Sequence, residues 1–215
     1  MSTPGRVVLL AGPSGSGKSH LAQASGLPVL CLDDFYKDGD DPSLPRHPDL
    51  GIVDWDHPQA WDADAALEAI TAVCRDGSAV VPRYDIGSDR SVGSTRFSRD
   101  GHRVFVAEGV FVGEMVQRCR DAGLLEDAIV LDRPAAANFV RRLARDLTEH
   151  RKPPLTLLRR GVALLRAERA LVAGLRAAGC RPLSAAATAA ALREWAAEQP
   201  AHPSDGRQHP RVDSA

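Results

Sequence analysis

Gly12-Pro-Ser-Gly-Ser-Gly-Lys18-Ser19 follows directly on the apolar run Val7-Val8-Leu9-Leu10-Ala11. It fits G-x-x-x-x-G-K-[ST] at every fixed position and has the strand, loop and helix setting that this pattern requires. Glycines suit such a loop because backbone N–H groups can wrap a polyphosphate only where side chains do not obstruct and some residues take positive φ. Gly12, Pro13, Ser14, Gly15, Ser16, Gly17, Lys18, Ser19 and His20 therefore form the candidate nucleotide-binding stretch. Lys18 is expected to reach the β- and γ-phosphates and the Ser19 hydroxyl to ligate Mg²⁺.

The pattern outward from this loop is strands alternating with helices. Val29-Leu30-Cys31-Leu32 is an apolar run of strand length that stops at Asp33 and Asp34, and Val104-Phe105-Val106-Ala107 stops at Glu108-Gly109. Ala128-Ile129-Val130-Leu131 stops at Asp132. Such runs predict a parallel sheet covered on both faces, with ligands at the carboxyl ends of the strands. That edge collects Gly12, Asp33, Asp34, Glu108 and Asp132. Between these strands Asp62 is placed to cap a helix ending near Asp76 at Gly77, with Leu67, Ile70, Val73 and Cys74 as its apolar stripe. Residues 79–85 read as extended, and the polar stretch 86–103 suggests a hairpin around Asp100-Gly101.

A helix is predicted over 134–149, with Arg142 and Arg145 on one side, broken by Pro153-Pro154. Closing over the site as a lid, about 134–155, those arginines would clamp transferring phosphates. Further helices are expected over 155–178 and 184–198, and disorder over 199–215, where proline and polar residues lack periodicity. Residues 1–198 are thus expected to form one domain with an α/β, P-loop NTPase architecture: three layers, α/β/α, a parallel sheet and a small helical lid.

With 215 residues the chain can bury a sizeable core, and a formal net charge of −1 gives no global attraction to nucleic acid or anionic membrane. No apolar segment approaches the ~20 residues of a bilayer span, and no charged-then-apolar leader precedes the first strand. Cys31, Cys74, Cys119 and Cys180 are widely spaced, which fits reduced thiols in a cytoplasmic protein rather than disulfides or zinc.

Phosphoryl transfer needs positioning, charge stabilisation and a group to receive the acceptor's proton. Asp33, at the end of the strand after the phosphate loop, is placed to be that base and to lie near the metal. The residues alone leave Asp34 open as base, metal partner or solvated side chain. Glu108 needs a partner if helices cover it, and the metal held by Ser19 or an arginine would serve.

Five segments together resemble the uridine kinase family, in the same order along the chain. They are Val29 to Tyr36 (V-L-C-L-D-D-F-Y), Asp54-Trp-Asp-His-Pro-Gln-Ala-Trp-Asp62, Pro82-Arg-Tyr-Asp85, Glu108-Gly109 and Arg141-Arg-Leu-Ala-Arg-Asp146. The similarity covers roughly residues 5 to 152. It implies that Asp33 rather than Asp34 is the catalytic base, that Asp56 binds ribose hydroxyls beside Trp55, and that Tyr84 lines the base pocket. It also implies that Glu108 assists Mg²⁺ and that Arg142 and Arg145 are lid arginines. Where the family places a histidine shortly after the Tyr-Asp pair, this chain has Ser88-Asp89-Arg90.

The sequence therefore predicts a magnesium-dependent kinase that transfers the γ-phosphate of ATP to the 5′-hydroxyl of a pyrimidine nucleoside. Asp33, Lys18, Arg142 and Arg145 would be catalytic, and Ser19, Glu108 and Asp33 would serve the metal. Asp34, Tyr36, Trp55, Asp56, Tyr84, Arg90 and Arg142 would contact the acceptor. A small-molecule partner is expected, not nucleic acid or membrane, and self-association is left open. Two alternatives stand beside it: a kinase for another hydroxyl acceptor (pantothenate, a sugar or a sugar phosphate), and a nucleotide-binding regulator without kinase activity. The chain has no Asn-Lys-x-Asp guanine-reading segment, which argues against a GTPase-like switch.

Overall fold

The computed structural model describes residues 4–13, 15–48, 51–132 and 169–198. Strands β1 (Arg6–Ala11), β2 (Val29–Cys31), β5 (Val104–Glu108), β6 (Leu125–Leu131) and β7 (Arg181–Leu183) form one sheet in the order β2-β5-β1-β6-β7. Every pairing in it is parallel. β1 is the central strand, and its side chains alternate between two apolar layers as the two-residue strand period requires. Val7, Leu9 and Ala11 pack with Ile70 and Val73 of α2 (Ala63–Asp76), Met115 and Val116 of α3 (Val112–Asp121), and Leu175 of α4 (169–177). Val8 and Leu10 face the other way, onto Ala22 of α1 (Lys18–Gln23) and Leu192 of α5 (Ala185–Ala197). The architecture is the expected three-layer α/β/α fold.

Local chemistry sets the element ends. The Asp62 side chain accepts from Ala65 N at the start of α2, and Gly77, at φ 83°, closes it. β2 is short because Leu32–Phe35 turn into a 3-10 helix, where Trp61 Nε1 donates to the Leu32 carbonyl at 2.6 Å. β6 begins at Leu125, ahead of its apolar run. Its Glu126 is held by both guanidinium nitrogens of Arg103 at 3.0 Å, and Asp127 pairs with Arg181.

Two features differ from the sequence expectation. A hairpin is present, β3 (Ser78–Asp85) with β4 (Arg90–Ser98), but it reverses at 86–89 rather than at Asp100-Gly101. Asp85 makes that reversal by accepting from Gly87 N and Ser88 Oγ, while Asp100 (φ 47°) and Gly101 (φ 81°) turn the chain from β4 towards β5. β7 has no counterpart among the expected strands, because three residues containing an arginine and a proline carry no apolar run. Pro182 is tolerated there because β7 is an edge strand. The expected lid over 134–155, with Arg142 and Arg145, the first part of the helix over 155–178, the tail over 199–215 and Ser14 lie outside the described residues.

Candidate active site

The carboxyl ends of β1, β2 and β5 meet at one edge of the sheet, since Glu108 is in register with both Leu10 of β1 and Cys31 of β2. Gly12 leaves β1 at φ 147°, and a Cβ there would lie 3.2 Å from Leu131 Cβ, so only glycine lets the chain turn this closely over the core. Gly17, at φ 91°, then delivers the chain into α1. Ser19 Oγ donates to Glu108 Oε1 at 2.8 Å, which ties the start of α1 to the end of β5. Glu108 thus meets the serine hydroxyl, and no arginine among the described residues pairs with it. Lys18 Nζ lies 3.5 Å from the Pro13 carbonyl. His20 is exposed on α1.

Asp33 faces this group. Its Oδ1 accepts from the backbone N–H of Val110 at 2.8 Å. Burial pushes the Asp33 carboxyl above its ordinary value, the Val110 N–H and the Lys18 ammonium pull it back, and Asp34 adds to the upward push. The charges of Lys18 and Asp33 therefore act on each other across the crevice. Asp34, the next residue of the 3-10 turn, points elsewhere: its Oδ1 accepts from Tyr84 N at 3.0 Å and so anchors β3.

Gly109 explains how the Asp33 carboxylate is held. A Cβ at this position would lie 2.7 Å from Asp33 Oδ1 and 2.9 Å from Cβ of the buried Leu32, so the carboxylate fits only against a bare backbone. Gly109→Ala is expected to displace Asp33 and lower kcat about 10²-fold, the cost of a misplacement near 1 Å at a reacting group. Steady-state kinetics beside a melting curve would check it, the fold persisting.

An aromatic cluster lies near Asp33. Tyr36 lies at its centre, with ring centroids 5.9 Å from Trp55, 5.7 Å from Tyr84 and 5.7 Å from Phe111. Its hydroxyl donates to the Trp55 carbonyl at 3.3 Å. Burial pushes the Tyr36 phenol up to about 12, with the charges of Asp33 and Asp56 adding to the effect, so both carboxylates bear on this one ring. Tyr84 donates its hydroxyl to the Lys37 carbonyl at 3.2 Å.

Of the expected acceptor residues, Asp56 lines one cavity and Asp34 and Tyr84 line another, while Tyr36 and Trp55 line neither. The first, of 360 Å³, is also lined by Val110, Phe111, Glu114, Leu171 and Leu175. The second, of 690 Å³, is also lined by Arg83, Asp85, Val92 and Thr95. Arg90 lines neither; its guanidinium pairs with Asp40 at 3.7 Å. Asp132, at the end of β6, pairs with Arg176 at 2.7 Å. Three site features escaped the sequence: the Val110 N–H, Phe111, and Trp61, whose indole fixes the turn that carries Asp33. Only Trp61, as a tryptophan inside a quoted segment, left a signal that could have been followed.

The fit to nucleotide and metal can be tested on these atoms. Among the described residues no group of three or more His, Cys, Asp or Glu side chains could hold a metal by itself. A cation here would need phosphate oxygens to complete its shell, as Mg²⁺ on a phosphate loop does. The Ser19 hydroxyl and Glu108 are oxygen donors of the right hardness for it.

No family model matches the chain. A uridine kinase of Streptococcus gordonii (strain Challis) is 29% identical over 150 residues, which span 66% of this chain and 68% of that protein. A uridine kinase of Listeria welshimeri serovar 6b is 31% identical over 150 residues, with the same 66% and 68% coverage. In fold, the chain is similar to a crystal structure from Silicibacter sp. TM1040 named as a candidate fructose transport system kinase. The TM-score is 0.56 with 24% identity, over 79% of this chain and 85% of that one. Sequence similarity at this level over two thirds of a relative, on a parallel sheet whose edge carries the phosphate loop and an opposed carboxylate, shows that the chain belongs to the uridine kinase family of small-molecule kinases.

Proposed function

We propose that the protein transfers the γ-phosphate of ATP to the 5′-hydroxyl of a pyrimidine nucleoside, with uridine and cytidine as the favoured acceptors. The single observation that carries this reading is the Asp33 carboxylate, held by Val110 N–H and acted on by Lys18, on the sheet edge where Ser19 and Glu108 meet. Asp33 takes the proton of the acceptor hydroxyl as that oxygen attacks phosphorus, and ADP leaves. Lys18 holds the phosphate charge in line, and the loop backbone orients the polyphosphate. Ser19 and Glu108 would hold Mg²⁺, which neutralises charge on the phosphate oxygens when bound. Arg142 and Arg145 would close over the phosphates from one lid within a single kinase domain. Tyr36, Trp55 and Asp56 would seat the acceptor.

An assay of ADP release across nucleosides, pantothenate, sugars and sugar phosphates tests this reading. Turnover confined to uridine and cytidine is expected. Turnover of another acceptor with silence on every nucleoside would replace the substrate. The second reading, a different hydroxyl acceptor, is favoured by one observation: Asp56 and Tyr84 line separate cavities.

The neighbouring carboxylates should separate cleanly. Asp34→Asn keeps an oxygen for Tyr84 N and is expected to change kcat little. Asp34→Ala leaves that N–H without its partner and is expected to cost about 1–3 kcal/mol of stability, read as a lower Tm. A collapse of kcat in Asp34→Asn with Asp33→Asn unaffected would exchange their roles.

A further inference from the structure

We propose that Ser16 positions the phosphate loop by exchanging hydrogen-bond partners when polyphosphate binds; this rests on the reading of 12–19 as a polyphosphate cradle. Ser16 is fully buried, and its Oγ has no hydrogen-bond partner among the described residues. A buried hydroxyl left in this state costs free energy, so it is retained at a loss unless another state of the loop satisfies it. Its place also excludes direct contact with a ligand. A Cβ on Gly12 would lie 3.3 Å from Ser16 Oγ and 3.2 Å from Leu131 Cβ, which puts the hydroxyl beneath the loop, on the side of the core.

The partner it gains is the Pro13 carbonyl. That oxygen accepts from Ser16 N at 3.1 Å and also has the Lys18 ammonium at 3.5 Å. Lys18 moves to the phosphate oxygens when a nucleotide is present, which returns a lone pair to the Pro13 carbonyl. Serine hydroxyls commonly bond a carbonyl three residues back. Ser16 O–H then donates to Pro13 O in the place the ammonium has left. The donor left unmet in this loop geometry is satisfied once Lys18 leaves the Pro13 carbonyl, and Ser16 thereby favours the nucleotide-bound loop without touching the nucleotide.

The test compares wild type, Ser16→Ala and Ser16→Cys by Tm without ligand and by Kd for ADP with magnesium, measured calorimetrically. For Ser16→Ala the ligand-free Tm should equal or exceed that of wild type, while ADP binds about threefold to tenfold more weakly, the worth of one such hydrogen bond. Ser16→Cys, with a weak donor of similar shape, should fall between them, and it carries the test if the alanine variant does not fold. A lower ligand-free Tm with unchanged ADP affinity in either variant would show a merely structural hydroxyl and overturn the proposal. Wild type that binds no ADP would instead overturn the reading of the loop, and the proposal with it.

Discussion

Asp33→Asn is expected to lower kcat by about 10²–10⁴, the usual contribution of a positioned general base, while ADP affinity stays near that of wild type. The two amide atoms occupy the space of the carboxylate, and the amide oxygen can still accept from Val110 N at the distance of 2.8 Å that the carboxylate holds. Only the capacity to take a proton is lost. The same substitution carries a second, opposite signature in stability. Burial raises the Asp33 pKa above its unfolded value, so folding favours the protonated form. The carboxyl's contribution is then fully present below the unfolded pKa and is lost as pH rises through the folded one. At neutral pH the ionised, half-buried side chain is therefore a burden, and the neutral asparagine should leave Tm unchanged or raised. A variant slow in catalysis yet no less stable is what a base held for chemistry predicts. A Tm that fell together with kcat would point to a structural role for the carboxylate.

Lys18→Ala is expected to lower kcat by about 10²–10³, in the range found when one donor to developing transition-state charge is removed, and to weaken ADP binding as well. A further effect follows from the coupling to Asp33. Lys18 pulls the Asp33 pKa down against burial, so its removal raises that pKa further. Because the base works deprotonated, the acid limb of the kcat/KM profile should move to higher pH in the variant. Kinetics over a pH series, with ADP binding by calorimetry, separate the two effects. A normal acid limb in Lys18→Ala would mean that the ammonium does not act on Asp33 in the working enzyme.

Much of the scaffold was legible because parallel strands buried on both faces read as unbroken apolar runs. Val7–Ala11 and Val104–Ala107 announced β1 and β5, and their ends announced the site edge. Asp62 and Gly77 marked the ends of α2 because a capping carboxylate and a left-handed glycine have distinct local signatures. Where the sequence misled, a local contact outweighed a composition signal. Asp100-Gly101 has the stronger hairpin pattern, yet the hairpin turns where Asp85 gathers Gly87 N and Ser88 Oγ. β7 exists because β6 offers it a free edge, which nothing in Arg-Pro-Leu reveals.

The site divides in the same way. Side chains with distinctive chemistry could be named, Lys18 and Ser19 from the phosphate-loop pattern and Asp33 and Glu108 from their positions at strand ends. What holds Asp33 could not, because Val110 contributes a backbone N–H and Gly109 an absence of side chain. The residues themselves left Asp34 open; in the fold a 3-10 turn sends adjacent carboxylates to opposite partners, Val110 and Tyr84. Arg90 sits near the expected base-reading position in sequence, and its exposed guanidinium lies 3.7 Å from Asp40.

The central claim is that a triphosphate cradle and a proton-accepting carboxylate act together on an added hydroxyl. ³¹P NMR of the wild-type protein with magnesium, ATP and uridine, run beside a sample without uridine, tests it most directly. A new phosphomonoester resonance, formed in step with ADP and only when uridine is present, is expected. ATP consumed equally in both samples, with inorganic phosphate as the sole product, would contradict it.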